Sequence, residues 1–231
     1  MIFPSSTLRP LGTAILGTAM FVASCGSDDG APAGEEPATL ADTVEPDAEV
    51  DGTAPPAELD DGWTRAEGDG YSVGLPPGWF DANRALDDDE FMADLADELQ
   101  NLSQDDLAGI IDENANIDLL AFRISDLTSE FATNVNFLTV ERGPLDEPEI
   151  ILDQAEEIVA TFGAELTGTD EYDVAGVPSV EVSYDLELPD VDVVGIQSYL
   201  FADETVVVGT YTAVDPDPAL WQSILGTFSV T

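Results

Sequence analysis

The sequence has very few positive charges. Its 231 residues include 49 Asp and Glu, five Arg, no Lys and no His, which gives a formal net charge of −44. Affinity for phosphate backbones and for anionic lipid surfaces is carried mainly by Lys and Arg. We therefore expect no binding to nucleic acid and no electrostatic attraction to anionic lipid headgroups.

The groups that most often act as catalytic bases and nucleophiles are also scarce. The chain has no His and one Cys, and it contains neither a G-x-S-x-G nucleophile turn nor a glycine-rich phosphate loop. Paired carboxylates remain, but their separations are not visible in a sequence with 49 candidates. We expect a protein that is not an enzyme and uses no cofactor, with a carboxylate-based hydrolase as the alternative.

The acidic residues have two interpretations. A solvated acidic surface keeps a protein soluble, especially where salt screens the repulsion between its charges. The sharper alternative is a surface that gathers divalent cations, for which Asp87-Asp88-Asp89 and Asp190-Val191-Asp192 offer carboxylates. A calcium site needs about six to eight converging oxygens, and neither cluster fits the D-x-[DN]-x-[DN]-G loop, so no metal site is predicted.

The N-terminus has the pattern of an export signal. Arg9 precedes the apolar segment 11–23, which is too short for a permanent membrane span. Val22-Ala23-Ser24-Cys25 then resembles the lipobox of bacterial lipoproteins, in which the signal is cut before a cysteine that carries diacylglycerol. The resemblance implies a signal peptide over residues 1–24 and a lipid anchor on Cys25 that holds the protein on the extracytoplasmic side of the cell membrane. Cys25 is the only cysteine, so no disulfide partner competes for it.

A change of composition separates a tether from a domain. Residues 26–62 are rich in Ala, Pro, Gly, Thr, Asp and Glu, with no aromatic and no basic residue. Such a segment buries too little apolar surface to offset the entropy of ordering it, so we expect a disordered acidic tether over residues 25–62. Removal of the signal takes one Arg and no acid, which leaves 49 acids against 4 Arg, a side-chain balance of −45. Residues 63–231 are expected to form a single domain.

The first strand of that domain ends at an unusual turn. Tyr71, Val73 and Leu75 alternate with smaller residues, which predicts a strand. Two prolines follow, which cannot donate ladder hydrogen bonds, and Gly78 permits a reversal that brings Trp79 back over the sheet.

Six further strands are predicted, and four of them form two pairs. In residues 180–188 apolar positions alternate with Ser, Glu and Asp, which indicates a strand with one wet face. Residues 196–213 predict a hairpin that is apolar on both faces, and residues 119–124 and 135–141 predict a second pair. A short strand is expected at the "FSV" segment near the C-terminus.

Two helices have both start and stop signals. Asp146-x-x-Glu149 fits a capping box with Pro148 in the first turn, and Gly163 ends that helix. Asp217 caps the second helix, which begins at Pro218 and ends at Gly226. The predicted buried residues are Ile151, Ala155, Ile158 and Phe162 in the first helix, and Leu220, Trp221, Ile224 and Leu225 in the second.

A helix pair is predicted further upstream. Phe91, Leu95, Leu99 and Leu102 keep helical spacing, and a shorter helix follows over residues 103–113. Strands that come in hairpins, rather than singly between helices, favour an antiparallel sheet. The expected fold class is therefore α+β, with a mainly antiparallel sheet and helices on its faces.

The order of these elements resembles a known fold family. A strand followed by "LPPGW" (75–79), the segments "AGVPSVEVSYDL" (175–186) and "IQSYLFADETVVVGTYTA" (196–213), and a last helix ending in "ILGTFSV" (224–230) look like the PsbP-like α/β/α sandwich. The LpqN-type lipoproteins of actinobacteria are bacterial relatives in that family. The resemblance covers residues 63–231 and implies a binding or scaffold role without a shared catalytic centre. The implied partner is another envelope protein, or a lipid or other small ligand.

Four large aromatic residues are the candidate ligand site. Trp79, Tyr184, Tyr199 and Trp221 lie on elements that the periodicity places around one sheet, and ligand sites in such folds are apolar clefts with a few polar groups. We therefore predict a cleft between the sheet and the helices near these residues. The alternative interpretation is that all four belong to the core.

The four arginines after the signal peptide also have two interpretations. Arg65 and Arg84 flank the "LPPGW" segment, and Arg123 and Arg142 lie in or just after the strand pair at 119–141. Local pairing with neighbouring acids is the first interpretation. The second is a groove in which one or two of them bind a ligand carboxylate or phosphate through paired hydrogen bonds.

Overall fold

The computed structural model describes residues 58–85, 117–127, 129, 131–143 and 147–231. Several predictions concern residues outside these ranges and are not addressed by the structure. They are the signal peptide at 1–24, the lipid on Cys25, nearly all of the tether, Asp87-Asp88-Asp89, the helices around Phe91 and residues 103–113, and the capping role of Asp146.

Strands dominate the described residues. The helices are α1 (Ala82–Ala85), α2 (Pro148–Ala160) and α3 (Pro218–Leu225), with one 3-10 turn at Ile124–Asp126. The strands are β1 (Thr64–Glu67), β2 (Tyr71–Leu75), β3 (Trp79–Asp81), β4 (Leu119–Arg123), β5 (Asn134–Glu141), β6 (Glu165–Val174), β7 (Val177–Glu187), β8 (Asp192–Phe201), β9 (Thr205–Ala213) and β10 (Ser229–Val230).

These strands form two antiparallel sheets, where the sequence predicted one. The large sheet has seven strands in the order β3-β4-β5-β9-β8-β7-β6, and the small sheet has three in the order β1-β2-β10. The antiparallel class is confirmed, and so are the predicted strand pair β4–β5 and the hairpin β8–β9. The prediction of a single sheet is wrong, because β2 pairs with β1 and with the C-terminal β10, and not with β3.

The turn at 76–78 separates the two sheets. Strand β2 ends at Leu75 and β3 begins at Trp79, so the chain passes from the small sheet to the large one across Pro76, Pro77 and Gly78. Gly78 has φ +81°, a conformation that L side chains rarely adopt. The predicted strand end at Leu75 and the turn at Gly78 are therefore confirmed, but Trp79 begins a strand of the second sheet and does not fold back over the first.

One hydrophobic core lies between the large sheet on one side and α3 with the small sheet on the other. Trp221 is fully buried and stacks on Tyr211, with ring centroids 6.0 Å apart. Gly209 makes room for the indole, because a Cβ there would lie 3.0 Å from the Trp221 ring and 2.5 Å from Phe137. Tyr71 from the small sheet stacks on Phe228 at 5.9 Å, which closes the other end of this core.

A second core lies on the opposite face of the large sheet, under α2. The helix buries Ile151, Ala155, Ile158 and Val159 against the sheet. Phe162 lies in the turn after the helix and contacts the Tyr184 ring edge-on at 5.0 Å. The large sheet is thus covered on both faces, which explains the run of apolar residues on both sides of β8 and β9.

The two longer helices begin with different capping arrangements. In α3, Asp217 Oδ1 accepts hydrogen bonds of 3.1 Å from the backbone N–H groups of Ala219 and Leu220, as expected for an N-cap. In α2 the N-cap is Glu147, whose side chain makes no capping hydrogen bond. Pro148 lies in the first turn of this helix, as predicted, and its fixed φ suits the start of a helix.

Candidate functional site

The four aromatic residues of the predicted cleft lie in two separate cores. Trp79 and Trp221 belong to the core beside α3, whereas Tyr184 and Tyr199 belong to the core under α2. All four are at most 8% exposed. They do not line one cleft, because the large sheet stands between the two pairs. Whether either pair contacts a ligand remains a prediction.

Trp221 belongs to a polar cluster between α3 and three strands of the large sheet. Its indole Nε1 donates to Ser198 Oγ at 3.1 Å, and the Tyr172 hydroxyl lies 3.0 Å from the same oxygen. Glu181 Oε2 accepts hydrogen bonds of 3.0 Å from the Tyr172 hydroxyl and from Gln222 Nε2. We call these five residues, Tyr172, Glu181, Ser198, Trp221 and Gln222, the Glu181 cluster.

The sheet register builds this cluster. Glu181 lies directly opposite Asp170 on β6 and opposite Ser198 on β8, so the three side chains share the face that α3 covers. Ser198 in turn lies opposite Gly209, over which the Trp221 ring packs. The alternation in β7 predicted Glu181 on a wet face, whereas it is half-buried and Gln222 of α3 reaches it.

The surroundings of Glu181 raise the pKa of its carboxyl group. Its carboxyl group is half-buried, and burial is the main cause that raises its pKa, with the negative charge of Asp170 adding to the effect. The hydrogen bonds from Tyr172 and Gln222 act in the opposite direction without cancelling it. Burial likewise raises the pKa of Tyr172 to about 12, so the phenol remains a donor at neutral pH. The cluster therefore presents a half-buried carboxyl group that two neighbouring donors hold in place.

Acidic residues extend from this cluster across the uncovered part of the same sheet face. The register places Glu165 opposite Asp185, Asp170 opposite Glu181, and Glu187 opposite Asp192. Like charges directly opposite one another in a sheet are destabilising. Five of the six are exposed and Glu181 is half-buried. We call Glu165, Asp170, Glu181, Asp185, Glu187 and Asp192 the acidic face.

A second polar cluster lies at the end of β4. Arg123 Nε donates to Asp126 Oδ2 at 2.7 Å, and its Nη2 pairs with the same oxygen and donates to Thr133 Oγ1 at 3.1 Å. Burial alone would raise the pKa of Asp126, but hydrogen bonds from Arg123, Thr133 and Ser125 and the charge of Arg123 hold it below the usual range. Local charge pairing, the first interpretation of the arginines, is confirmed for Arg123.

The other three arginines make separate contacts. Arg65 Nη1 donates to Ser72 Oγ at 3.0 Å, within the small sheet. Arg142 Nη2 donates to the carbonyl oxygen of Phe201 at 3.2 Å. Arg84 lies near Asp81, whose pKa is raised by burial although the charge of Arg84 and two backbone hydrogen bonds oppose that effect. These contacts lie on different elements, and none of them joins two arginines into the predicted groove.

One buried hydroxyl group stands out near the start of β4. Tyr71 is fully buried, and its Oη has no hydrogen-bond partner. Burial raises its pKa, and the charges of Asp118, Asp81 and Asp69 raise it further. Asp118 is itself held in place, since its Oδ2 accepts a 2.7 Å hydrogen bond from the Thr139 N–H. No sequence signal identified this group, because Tyr71 is simply one of the alternating apolar residues of its strand.

The described ranges contain no group of three or more His, Cys, Asp or Glu side chains that could hold a metal ion. Asp190, singled out above, is exposed in the turn between β7 and β8, and Asp192 is exposed as the first residue of β8. In the same ranges, no helix has the length and apolar character needed to cross a bilayer.

Comparisons with known proteins give no assignment. The sequence matches no family model and no curated protein. A Bacteroides thetaiotaomicron structure solved at 1.50 Å shares 8% sequence identity with a TM-score of 0.42, over 75% of this chain and 49% of that one, so this chain spans about half its length. A Pseudomonas aeruginosa protein of unknown function, PA94, a putative regulator, shares 15% identity with a TM-score of 0.35, over 42% of this chain and 72% of that one. Neither likeness is close enough to indicate an activity.

Proposed function

We propose that this protein is a lipid-anchored, non-catalytic lipoprotein of the cell envelope whose extracytoplasmic domain binds another envelope component. The observation that carries the proposal is the Val22–Cys25 lipobox after an apolar segment, followed by an acidic segment without aromatic residues. Two acyl chains on Cys25 would give stable anchoring, where a single chain is marginal. The tether would then hold the domain tens of ångströms from the membrane.

Within this proposal the domain is a PsbP-like α/β/α sandwich of the LpqN type. The antiparallel large sheet, with α2 on one face and α3 on the other, agrees with that arrangement. The small sheet beside α3 is an addition that the simple sandwich does not require. The family resemblance supports a binding role, and one fold hosts many functions, so the partner has to be argued from the surface itself.

The binding role is supported by the acidic face. Three directly opposed acid pairs oppose the stability of the sheet that contains them, and residues that act against stability often serve a function. An envelope protein with a basic surface is the partner that best matches these charges. A divalent cation is the second ligand considered, but carboxylates spread along three strands suit an extended partner better than a single ion.

A carboxylate-based hydrolase is the second candidate function. Asp170 and Glu181 lie directly opposite each other, and the raised pKa of Glu181 beside a second carboxylate resembles an acid–base pair. If the protein is a hydrolase of this kind, a screen of glycan and ester substrates will find turnover that both Asp170→Asn and Glu181→Gln abolish. Turnover that neither substitution changes would contradict this assignment.

The anchor is tested by phase partition in a detergent that separates on warming. The wild-type protein is expected in the detergent phase, and Cys25→Ser is expected to leave an uncleaved precursor that no labelled fatty acid modifies. Ser24→Ala is the matched control, because it keeps a small residue before the cysteine and is expected to be processed normally. Wild-type protein in the aqueous phase without label would refute the anchored-lipoprotein proposal.

A further inference from the structure

We propose that the free edge of β6, together with the acidic face beside it, binds an extended Lys- and Arg-rich segment of a partner protein as an added strand. This inference rests on the proposed binding role and deepens it, because it names the surface and the chemistry of the partner.

Strand β6 is the last strand of the large sheet and has a long unpaired edge. It has 10 residues and pairs with β7 along one side only. Within the described part of the chain, no strand lies along its other side. An unpaired row of backbone N–H and C=O groups is a template for another strand, and peptide recognition by strand addition uses such edges.

The charges of β6 select what can pair with it. Asp170, Glu171 and Asp173 are exposed. Asp170 lies on the acidic face, and Glu171 and Asp173 share the opposite face of the strand. A second copy of this chain pairing at the same edge would bring acids against acids, which is unfavourable when like charges are directly opposite. The charges therefore oppose self-association of this edge, and they favour an incoming strand with Lys or Arg at successive positions.

The acidic face gives such a strand its strongest contacts. On that face, basic side chains of the added strand would lie beside Glu165 and Asp170, each of which already faces another acid on β7. A positive charge placed next to these pairs removes repulsion as well as adding attraction. Gly168 lies between the two positions, and nothing within 4 Å fills the space above it, which leaves room for a long Lys or Arg side chain.

The composition of β6 agrees with an edge that is kept free. Leu166, Tyr172 and Val174 are its large apolar residues, and the register shifts between Leu166 and Gly168. Charges and bulges protect edges from aggregation. The same charges that protect the strand in isolation would admit a partner of opposite charge, and the overall charge of −44 would accelerate its approach.

The test uses the full-length protein in detergent and a synthetic nine-residue peptide in which pairs of successive Lys residues are separated by single Thr or Val residues. A control peptide has the same sequence, with alternate backbone amides N-methylated so that it keeps its charge and cannot form a ladder. We expect the first peptide to bind, with hydrogen-exchange protection confined to β6 and the adjacent acidic face. The N-methylated peptide should bind at least tenfold more weakly by calorimetry.

Matched charge variants distinguish binding at the β6 edge from attraction by the net charge of the whole protein. Asp170→Asn, Glu171→Gln and Asp173→Asn combined should weaken binding at least tenfold. Asp203→Asn, Glu204→Gln and Asp215→Asn combined remove the same three charges at exposed positions outside β6 and should weaken it less than threefold. If the β6 variant is unstable, Asp170→Asn alone replaces it, with Asp203→Asn as its control.

Three results would overturn the inference: no binding of the lysine peptide, equal weakening by both sets of substitutions, or equal binding of the N-methylated peptide. The last two would mean that net charge alone attracts the peptide. Detergent partition and processing at Cys25 do not depend on β6, so failure of this inference leaves the anchored-lipoprotein proposal standing. Failure of the anchor would conversely leave the peptide result intact.

Discussion

The two ends of the large sheet contrast sharply on the face that α3 and the small sheet cover. Around the middle of β5 and β9 this face is apolar, with Phe137, Tyr211 and Trp221 packed together. Around β6 and β7 the same face carries directly opposed carboxylates. We call the region around β5 and β9 the covered end and the region around β6 and β7 the acidic end. The difference indicates that the covered end stabilises the domain, whereas the carboxylates of the acidic end are retained although they lower its stability.

The largest expected effect is at the covered end. Trp221→Ala removes a buried indole that stacks on Tyr211 and donates to Ser198, and should destabilise the protein by about 3–5 kcal/mol. Gln222→Ala, at the neighbouring exposed position, is the control and should change stability only slightly. Denaturant unfolding measures both. A loss below about 1 kcal/mol for Trp221→Ala would contradict the account of the covered end, since core truncations of this size rarely cost so little.

Salt should act mainly at the acidic end. Screening of repulsion should raise the melting temperature by roughly 5 °C between low and molar sodium chloride, which corresponds to about 1–2 kcal/mol for a domain of this size. The rise should be smaller in the variant that lacks three acids of β6. Calcium at constant ionic strength is the control, and a large saturable increase with calcium would instead favour a specific cation site.

The ion pair at the end of β4 should contribute about 1 kcal/mol, because Arg123 is partly exposed and water screens the pair. Asp126→Asn is expected to lose most of this contribution, and Ser125→Ala very little. The lowered pKa of Asp126 means that its contribution is present above the unfolded carboxyl pKa and is lost as pH falls through the folded value. Equal stability of Asp126→Asn and the wild type would contradict this role.

At the acidic end, stability should change with pH in the direction opposite to that expected for Asp126. A raised pKa at Glu181 means that the folded state binds its proton more tightly than the unfolded chain does. Stability should therefore increase as pH falls from neutral through the folded pKa, and the gain should be complete below the ordinary value of 4.5. Glu181→Gln should reduce this increase, as measured by melting temperature against pH. An unchanged profile would show that Glu181 does not titrate differently in the folded state.

Local signals in the sequence were sufficient for some elements. The N-cap at Asp217 and the start at Pro218 defined α3, and alternation defined β7 through residues such as Val180 and Val182. Strand β6 escaped prediction because few of its residues are apolar, as expected for an edge that has little to bury.

The features that were missed depend on contacts between distant residues. The small sheet brings Ser72 within 2.9 Å of Ser229, 157 positions away, and no local pattern encodes that pairing. Likewise, only the packing of the two cores shows that Trp221 and Tyr184 lie on opposite sides of the large sheet. Only the strand register shows that Glu181 faces Asp170. The sequence therefore predicted which residues alternate along a strand. It did not predict which strands pair or which of their faces come into contact.

The most direct test of the contrast is the free energy of unfolding of Asp170→Asn at low salt. The substitution removes one charge from the Asp170–Glu181 pair, and asparagine can still accept the hydrogen bond that Asp170 Oδ1 takes from the Glu171 N–H at 3.0 Å. If the acidic end is retained against stability, the variant will be slightly more stable than the wild type, and the gain will vanish at high salt. A variant that is less stable at both salt concentrations would contradict the account, because Asp170 would then be part of what holds the sheet together.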